Sequence, residues 1–263
     1  MMAGILIYTE KEAKRNAFAI EKFKENLDIN LVDETYDGTA DFVINRTNDF
    51  KIAQKFEQRG IRVFNSSTLS RLANDKQACY EFVQKNGIEI LPINYTGIPA
   101  VKKPINGHGG QGVVMLQKAE EFKKGFVYQK PCDTLGKDLR IWVIGGKIIT
   151  SILRESDTDF RSNFCLGGRA TPYNLNDKEK NQVQKVIDLF DIDYAGIDFL
   201  YDGGNLIFNE IEDTVGARMV YAKTDIDIIK MYCEYIKMEI DKESLLPFIE
   251  VFNEFENSFY DIF

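Results

Sequence analysis

Four glycines lie within six residues in the segment Gly107-His108-Gly109-Gly110-Gln111-Gly112. Glycines at this density let backbone N–H groups approach phosphate oxygens without a side-chain clash, so the segment is a candidate phosphate-binding loop. Lys102 and Lys103 stand shortly before it and add positive charge. The alternative is a mobile surface turn, and the glycines alone do not decide between the two.

The loop formally matches the pattern GxGxxG, but its context argues against two familiar families. A dinucleotide-binding fingerprint joins a strand to a helix, whereas strand-like residues stand on both sides here, so the loop is predicted to cap a hairpin. Gly107 to Val114 also fits the GxGxxGxV pattern of protein kinases. The only histidine, His108, lies inside the loop and no Asp-Phe-Gly exists, which excludes a standard protein kinase.

Three carboxylates near the end of the chain form a candidate metal site. Asp198 stands among apolar residues of a predicted strand, where an ionised group needs a cation or hydrogen bonds to offset its desolvation. Glu210 and Glu212 are two apart on the next strand, so they share one face of the sheet. The short turn between the strands could bring that face beside Asp198, a set of oxygen ligands that suits magnesium. Ordinary solvated acids are the alternative.

Arginines between the glycine loop and Asp198 are the third candidate feature. Arginine binds phosphate and carboxylate groups with two parallel hydrogen bonds, so a site for nucleotide phosphates and an acid substrate would need several. Taken singly, each is more often a solvated surface charge. The set consists of Arg140, Arg154, Arg161 and Arg169.

The elements that would position these residues follow from periodicity and turn signals. The first third alternates short strands with helices, which is typical of a small parallel sheet. Its predicted strands are Gly4–Tyr8, Ile29–Val32, Phe42–Ile44 and Arg62–Phe64, and its predicted helices are Lys11–Glu25, Phe50–Arg59 and a pair over about Ser67–Asn86. From Ile88 onward, hairpins follow, then a helix that begins after Asn176, two strands up to Glu212 and a helical tail from about Asp225.

The composition restricts the class of protein further. The 263 residues carry a net charge of -8 and a pI near 5.0, which argues against nucleic acid as the main partner. No stretch approaches the roughly 20 apolar residues of a membrane helix, so no membrane partner is expected. Four cysteines without a CxxC pair make a zinc site improbable and fit reduced thiols, hence a cytoplasmic location.

Taken in order along the chain, these motifs resemble the ATP-grasp superfamily, and in particular its RimK-like branch of glutamate ligases. The resemblance runs from about Asn65 to Tyr221. It is carried by Asn74-Asp75-Lys76, Val101-Lys102-Lys103-Pro104 with the glycine loop, Tyr128-Gln129-Lys130-Pro131, Asp138-Leu139-Arg140, Arg161-Ser162-Asn163, Gly167-Gly168, Ala195-Gly196-Ile197-Asp198 and Asn209-Glu210-Ile211-Glu212.

The resemblance implies roles for individual residues in binding ATP. Lys76 and Lys103 would contact the phosphates or the adenine, and Asp138 would lie near the ribose. Arg161 and Asn163 would reach the phosphates. The hinge that holds the adenine edge would be Gln129, Lys130 and Pro131, and the loop over the phosphates would use Gly107, Gly109, Gly110 and Gly112.

The metal ligands implied by the resemblance are Asp198, Glu210 and Glu212, which would bind Mg²⁺, or Mn²⁺ in its place. The family's last ligand is usually an asparagine, and the extra charge of Glu212 should favour metal binding. The hinge also departs from the family pattern, because Lys130-Pro131 replaces a glutamate followed by an aromatic or aliphatic residue. Arg140, Arg154 and Arg218 are the candidates for holding substrate acids, and Arg140, Arg154 and Arg161 form the candidate catalytic set.

The fold implied is a mixed α/β (α+β) ATP-grasp fold, a small N-terminal βα sheet domain followed by two subdomains that clasp ATP. The expected domains are an N-terminal α/β domain over 1–65, a subdomain with the glycine loop over 66–132, and a subdomain with the metal site and helical tail over 133–263. The tail, rich in phenylalanine to Phe263, is expected to cover a core edge or a contact in a homo-oligomer.

The activity implied is ATP-dependent ligation of a carboxylic-acid substrate to an amine through an acyl phosphate. The amine would be glutamate or another amino acid, and the acid a small molecule or the end of a peptide or protein. Two alternatives stay open. One is a non-catalytic ATP-binding regulatory module, and the other is an ATP-grasp ligase that modifies peptides.

Overall fold

The protein's structure, a computed structural model, describes residues 3–162 and 168–242. The N-terminal part is a four-stranded parallel sheet in the order β2-β1-β3-β4, flanked by helices. Its strands are β1 (Gly4–Ile7), β2 (Ile29–Val32), β3 (Phe42–Asn45) and β4 (Arg62–Phe64), and its helices are α1 (Glu10–Arg15), α2 (Ala17–Asn26) and α3 (Phe50–Glu57). The predicted alternation of strands and helices is confirmed here.

One predicted helix, Lys11–Glu25, is two helices in the structure. The break lies at Asn16, whose side-chain amide donates a hydrogen bond back to the Glu12 carbonyl oxygen at 2.8 Å. A short polar side chain that bonds the backbone in this way competes with helix continuation. The apolar spacing of the segment runs through the break and therefore did not reveal it.

The middle of the chain forms a second, antiparallel sheet of three strands in the order β6-β5-β7. Two helices precede it, and their N-caps are Ser66 and Asp75, whose side chains accept hydrogen bonds from the first turn. The elements are α4 (Ser67–Ala73), α5 (Lys76–Lys85), β5 (Ala100–Pro104), β6 (Val114–Leu116) and β7 (Phe126–Gln129). Since β5 and β6 pair antiparallel on either side of the glycine loop, the predicted hairpin is confirmed.

The third sheet has five antiparallel strands in the order β10-β9-β8-β11-β12. Its elements are β8 (Lys137–Ile144), β9 (Lys147–Glu155), β10 (Arg169–Pro172), α6 (Asp177–Ile187), β11 (Tyr194–Asp202) and β12 (Asn205–Glu212). Gly145-Gly146 and Gly203-Gly204 form its two tight turns, and all four have positive φ, as two-residue hairpin turns require. The helix predicted to begin after Asn176 is α6, and Asn176 and Glu179 form a capping box at its start.

After β12 the chain forms α7 (Arg218–Lys223) and a last helix, α8, over residues 228–242. The sequence predicted the last helix but neither α7 nor β10, which are too short for a periodic pattern to show. The phenylalanine-rich end of the predicted tail lies outside the described residues. Within the described residues, no helix combines the length and the apolar character that a membrane crossing requires.

Strand β8 lies between two hydrophobic cores. Leu139 and Ile141 point to the core shared with α5 and α6, whereas Trp142 and Ile144 point to the core shared with the N-terminal sheet and α8. The N-terminal sheet and the five-stranded sheet are therefore packed as one body across the second core. Burial on both faces explains why β8 reads as a nearly continuous apolar run.

Asn65, which directly follows β4, joins the N-terminal sheet to the five-stranded sheet. Its amide nitrogen donates to the carbonyl oxygens of Tyr194 at 2.7 Å and Asp213 at 3.0 Å. Its amide oxygen accepts from the backbone nitrogens of Asp193 at 3.0 Å and Tyr194 at 2.9 Å. One buried side chain thus satisfies four backbone groups that no strand pairs.

Replacing Asn65 by alanine should leave these backbone groups without partners. We expect N65A to lower the free energy of unfolding by about 2–4 kcal/mol, the cost of several unsatisfied buried groups. Urea unfolding followed by circular dichroism measures the change. Asn86→Ala, which removes one exposed bond to the Phe82 carbonyl oxygen, is the control and should shift stability by less than about 1 kcal/mol. Equal losses in the two variants would contradict this role of Asn65.

Candidate functional site

A cleft lies between the three-stranded and five-stranded sheets. Most of the residues selected from the sequence line it, namely Lys76, Lys103, Gly107, Gly110, Gln129, Lys130, Pro131, Asp138, Arg154, Arg161, Asp198 and Glu210. The cleft is therefore the candidate active site.

The glycine loop covers one side of the cleft and is held by two cations. Lys76 Nζ donates to the Gly107 carbonyl oxygen at 2.6 Å, and Arg161 Nη1 donates to the Gly110 carbonyl oxygen at 2.9 Å. Gly112 has φ of +70°, and a Cβ atom there would lie 2.9 Å from Pro104 Cγ. The loop conformation thus depends on glycine at Gly112, and on the positive φ of Gly109 and Gly110 beside it.

The segment after β7 forms the back of the cleft. Gln129 is buried and donates from Nε2 to the Leu91 carbonyl oxygen at 3.3 Å, while the Lys130 backbone nitrogen donates to the Pro92 carbonyl oxygen at 2.9 Å. The Lys130 side chain itself is exposed. Apolar side chains complete this part of the cleft, from Leu91, Val101, Leu135, Phe160 and Leu200. A flat aromatic group would find apolar contact here.

Lys103 extends from β5 into the cleft and is buried. Its Nζ donates to Asn209 Oδ1 at 2.7 Å and to the Tyr80 hydroxyl at 3.2 Å. Burial lowers the pKa of Lys103 to about 8, although the nearby Glu210 carboxylate opposes the shift. A bound anion would therefore stabilise the ammonium form of Lys103.

Asp198, Glu210 and Glu212 converge as the sequence predicted. Oxygen atoms of all three lie within 4.8 Å of one another. Asp198 and Glu210 are directly opposed on β11 and β12, and a bulge follows in the register between Asp198 and Phe199. The bulge also lets Asn209 line the cleft beside Glu210, which simple alternation along the strand would not allow. Asn209 and Tyr80, which both bond to Lys103 Nζ, are polar residues that sequence reasoning did not select.

Arg140 and Arg154 bind the protein's own carboxylates. Arg140 donates from Nε to Asp198 Oδ1 at 2.6 Å, and from Nη2 to Asp198 Oδ2 and Glu212 Oε1, each at 2.7 Å. Arg154 donates from Nε and Nη2 to Asp138 at 2.5 and 2.6 Å, and from Nη2 to Asp198 Oδ2 at 2.7 Å. Both arginines, Asp138 and Asp198 are buried, so we revise the assignment of both arginines to substrate acids: in this structure they pair with the site's own carboxylates.

The structure also shows where the remaining candidate residues lie. Both oxygens of Asp138 accept from Arg154, so its carboxylate is engaged within the protein although it lines the cleft. Arg218 is exposed at the start of α7 and does not line the cleft, and Arg169 pairs with exposed Asp157. Asn163 lies outside the described residues.

The carboxylates differ in protonation behaviour. Burial alone would raise the pKa of Asp198, but the charges of Arg140 and Arg154 hold it at about 2. For Glu210, Lys76 and Lys103 outweigh burial and lower the pKa. For Glu212, burial and the neighbouring carboxylates raise the pKa against the pull of Arg140. Asp198 is thus fixed as an anion, and Glu212 gains most from an added cation.

The comparisons with known proteins assign the family. The model of the RimK-like ATP-grasp domain matches residues 47–236. The chain therefore belongs to the RimK-like ATP-grasp family, as its motifs predicted, and is an ATP-binding ligase that forms carbon–nitrogen bonds.

Its curated relatives carry related names. A protein of Maridesulfovibrio salexigens named "Probable alpha-L-glutamate ligase" is 27% identical over 213 residues, which cover 71% of this chain and 70% of that protein. A protein of the same name from Methanococcoides burtonii is 26% identical over 212 residues, with the same two coverages. An uncharacterized protein of Mycoplasma genitalium is 26% identical and covers 91% of this chain and 94% of its own length.

Solved structures confirm the predicted ATP-grasp fold. D-alanine–D-alanine ligase from Bacillus anthracis, complexed with ATP, superposes with a TM-score of 0.67 at 16% identity, over 93% of this chain and all of that chain. The ATP-grasp ligase PsnB, complexed with a precursor variant, Mg and ADP, has a TM-score of 0.67 at 14% identity, over 90% of this chain and 98% of that chain.

Because Asp198 anchors two buried arginines, its neutralisation should affect folding as well as activity. We expect D198N to lower the free energy of unfolding by about 3–5 kcal/mol, since Arg140 and Arg154 lose their shared anion. Urea unfolding gives the value. The matched control is Asp157→Asn, whose exposed pair with Arg169 should contribute less than about 1 kcal/mol. A D198N variant as stable as D157N would refute the structural role of Asp198.

Proposed function

We propose that this protein is an ATP-dependent carboxylate–amine ligase that activates an acid as an acyl phosphate and joins it to an amino acid, with glutamate as the first candidate. The observation that carries the proposal is the convergence of Lys76, Lys103, the glycine loop and three carboxylates on one cleft. The names of the relatives support glutamate as the amine. The acid would be a small molecule or the end of a peptide or protein.

The cleft offers separate surroundings for the parts of ATP. The adenine would lie among the apolar side chains beside Gln129, Lys130 and Pro131. The triphosphate would lie under the glycine loop, within reach of Lys76, Lys103 and Arg161. Both cations that now hold loop carbonyls would then bind phosphate oxygens, so the loop could close over the bound nucleotide.

The three carboxylates fit Mg²⁺, and equally Mn²⁺. Protein donors reach one oxygen of Glu210 and one of Glu212, and each carboxylate keeps its other oxygen without a partner among the described residues. Hard oxygen ligands of this kind, with phosphate oxygens, suit either ion. When bound, the ion would neutralise phosphate charge during transfer. Asp198 would complete the set from between its two arginines.

The residues of the cleft would catalyse by position and charge. The acid's carboxylate oxygen would attack the γ-phosphorus while the bond to ADP breaks. The amine nitrogen would then attack the acyl carbon, with loss of phosphate and of a proton from nitrogen. Lys103, Arg161 and the loop N–H groups would stabilise the charge on the transferred group, and the closed loop would keep water from the acyl phosphate.

The first test is ADP release by purified protein with Mg-ATP, across a panel of amino acids and with a cell extract of small acids and peptides. We expect release that depends on one amino acid together with an acid acceptor. The variant Glu210→Gln should reduce turnover at least about 100-fold, since it removes a charged metal ligand while Arg140, Arg154 and Asp198 keep their pairs.

The control for this test is Glu21→Gln, which changes an exposed pair with Lys24 on α2 and should retain full turnover. Unchanged turnover in E210Q would contradict the metal assignment. Binding of ATP without stimulated release in the wild-type protein would favour the non-catalytic module.

The lowered pKa of Lys103 predicts a pH dependence of ATP binding. Below about pH 8 the ammonium form can pair with phosphate, and bound phosphate raises the pKa, so affinity is lost as the pH rises through 8. Calorimetry should give a dissociation constant for ATP that is about tenfold larger at pH 9 than at pH 7. Lys103→Arg keeps its charge over this range and should bind with nearly constant affinity. The same decline in K103R would assign the effect to another group.

A further inference from the structure

Two of the three metal carboxylates, Glu210 and Glu212, lie at the end of an edge strand, and the turn that follows fixes the position of that end. Strand β12 has a single neighbour in its sheet, β11, and Glu212 is its last residue. The chain then enters a turn over residues 213–215, here called the exit turn. Asp213 and Val215 are buried in it, so the turn is packed into the protein rather than left in solvent.

Every side-chain hydrogen bond that the structure gives between the exit turn and the rest of the described chain comes from residues 46–74. Arg46 Nη1 donates to the Asp213 carbonyl oxygen at 3.4 Å, and its Nη2 donates to the Val215 carbonyl oxygen at 2.7 Å. The other partners are Asn65 and Asn74, which donate to Asp213, and Asn48, which accepts from the Thr214 hydroxyl. Residues of the loops that follow β3 and β4, together with Asn74 at the end of α4, therefore hold the turn that follows Glu210 and Glu212.

Arg46 is the one cation among these contacts. Burying its charge in order to satisfy two carbonyl oxygens costs desolvation free energy. Its guanidinium lies 5.6 Å from the ring centre of Tyr194, and its Nε is buried without a hydrogen-bond partner. A neutral donor would satisfy either carbonyl with less desolvation. What arginine adds is a rigid planar fork that spans both carbonyls at once. That geometry fixes the distance between the two carbonyl oxygens of the turn, which a single hydrogen bond would not do.

We propose that Arg46 is a positioning residue, which bridges the Asp213 and Val215 carbonyl oxygens and thereby sets the positions of Glu210 and Glu212 for metal binding. The proposal rests on the metal assignment in the proposed function. It gives the N-terminal sheet a part in the chemistry of a cleft that its own residues do not line.

The test is a titration with Mn²⁺ followed by electron paramagnetic resonance, with a saturating non-hydrolysable ATP analogue and no turnover. Arg46→Met should raise the dissociation constant of Mn²⁺ by about tenfold, the lower end of the loss seen when a group that orients metal ligands is removed. Arg46→Lys keeps the charge but cannot span both carbonyls, and should give a smaller loss in the same direction. The Mg²⁺ concentration for half-maximal ADP release should rise in the same order.

The matched control is Arg62→Met. Arg62 also joins the N-terminal sheet to the rest of the protein, through Asp193 at 2.6 Å, and the hydrogen bonds that the structure gives to the exit turn come from other residues. We expect R62M to lower the melting temperature and to leave Mn²⁺ affinity within about twofold of wild type. An equal loss of Mn²⁺ affinity in R62M would overturn the proposal, because the effect would then be general loosening.

Three further outcomes test this proposal, and the second separates it from the proposed function. A folded R46M with wild-type Mn²⁺ affinity overturns the positioning role, and if R46M does not fold, wild-type affinity in R46K does the same. If the wild-type protein binds Mn²⁺ but never releases ADP with any substrate pair, the proposed ligase activity fails while weaker binding in R46M still supports the positioning role. Mn²⁺ binding that survives in E210Q would place the ion elsewhere and overturn the proposal.

Discussion

The site depends on a ladder of opposite charges across three strands of the five-stranded sheet. Arg154 on β9 is directly opposite Asp138 on β8, and Arg140 on β8 is directly opposite Asp198 on β11. All four face the cleft side of the sheet, while Leu139 and Ile141 face the core behind it. Buried charges of this kind are tolerable only as a matched set, because removing one leaves its partner ionised without compensation. Glu212 joins the set through Arg140, so the geometry of the metal carboxylates is tied to the register of the sheet.

That register is set by two bulges, which explains why the sequence predicted the participants better than their partners. The Gly145-Gly146 turn alone would place Leu153 opposite Asp138, and a bulge after Trp142 moves Arg154 into that place. The Gly203-Gly204 turn alone would place Asn209 opposite Asp198, and the second bulge brings Glu210 there instead. A shift of one residue reverses the face of every side chain beyond it. A bulge leaves no clear mark in apolar periodicity. The sequence therefore did not reveal that Arg140 and Arg154 pair with the site's own carboxylates, and it suggested that they bind substrate acids.

Other parts of the molecule could be predicted because their sequence signals lie within a few residues of the feature. The hairpin around the glycine loop follows from strand-like residues on both sides, and the start of α6 follows from Asn176 with Glu179 three residues on. The convergence of Asp198, Glu210 and Glu212 followed from a short turn and alternation along a strand. By contrast, Asn65 and Arg46 act over more than a hundred residues of sequence, through hydrogen bonds to backbone groups that any residue could supply. Such contacts have no pattern along the chain and become visible only in the folded protein.

The balance of charge in the cleft bears on how its ligands would bind under the proposed function. Arg140 and Arg154 pair with Asp138, Asp198 and Glu212, and Lys76 pairs with Glu210. Lys103, which bonds to Asn209 and Tyr80, brings this set to four positive and four negative side chains. A polyanionic nucleotide or a divalent ion entering alone would upset this balance in a buried site, where uncompensated charge is costly. Entering together, they compensate each other and free the lysines to bind phosphate. Each should therefore strengthen the binding of the other, and a site made of matched internal pairs is what makes that coupling strong.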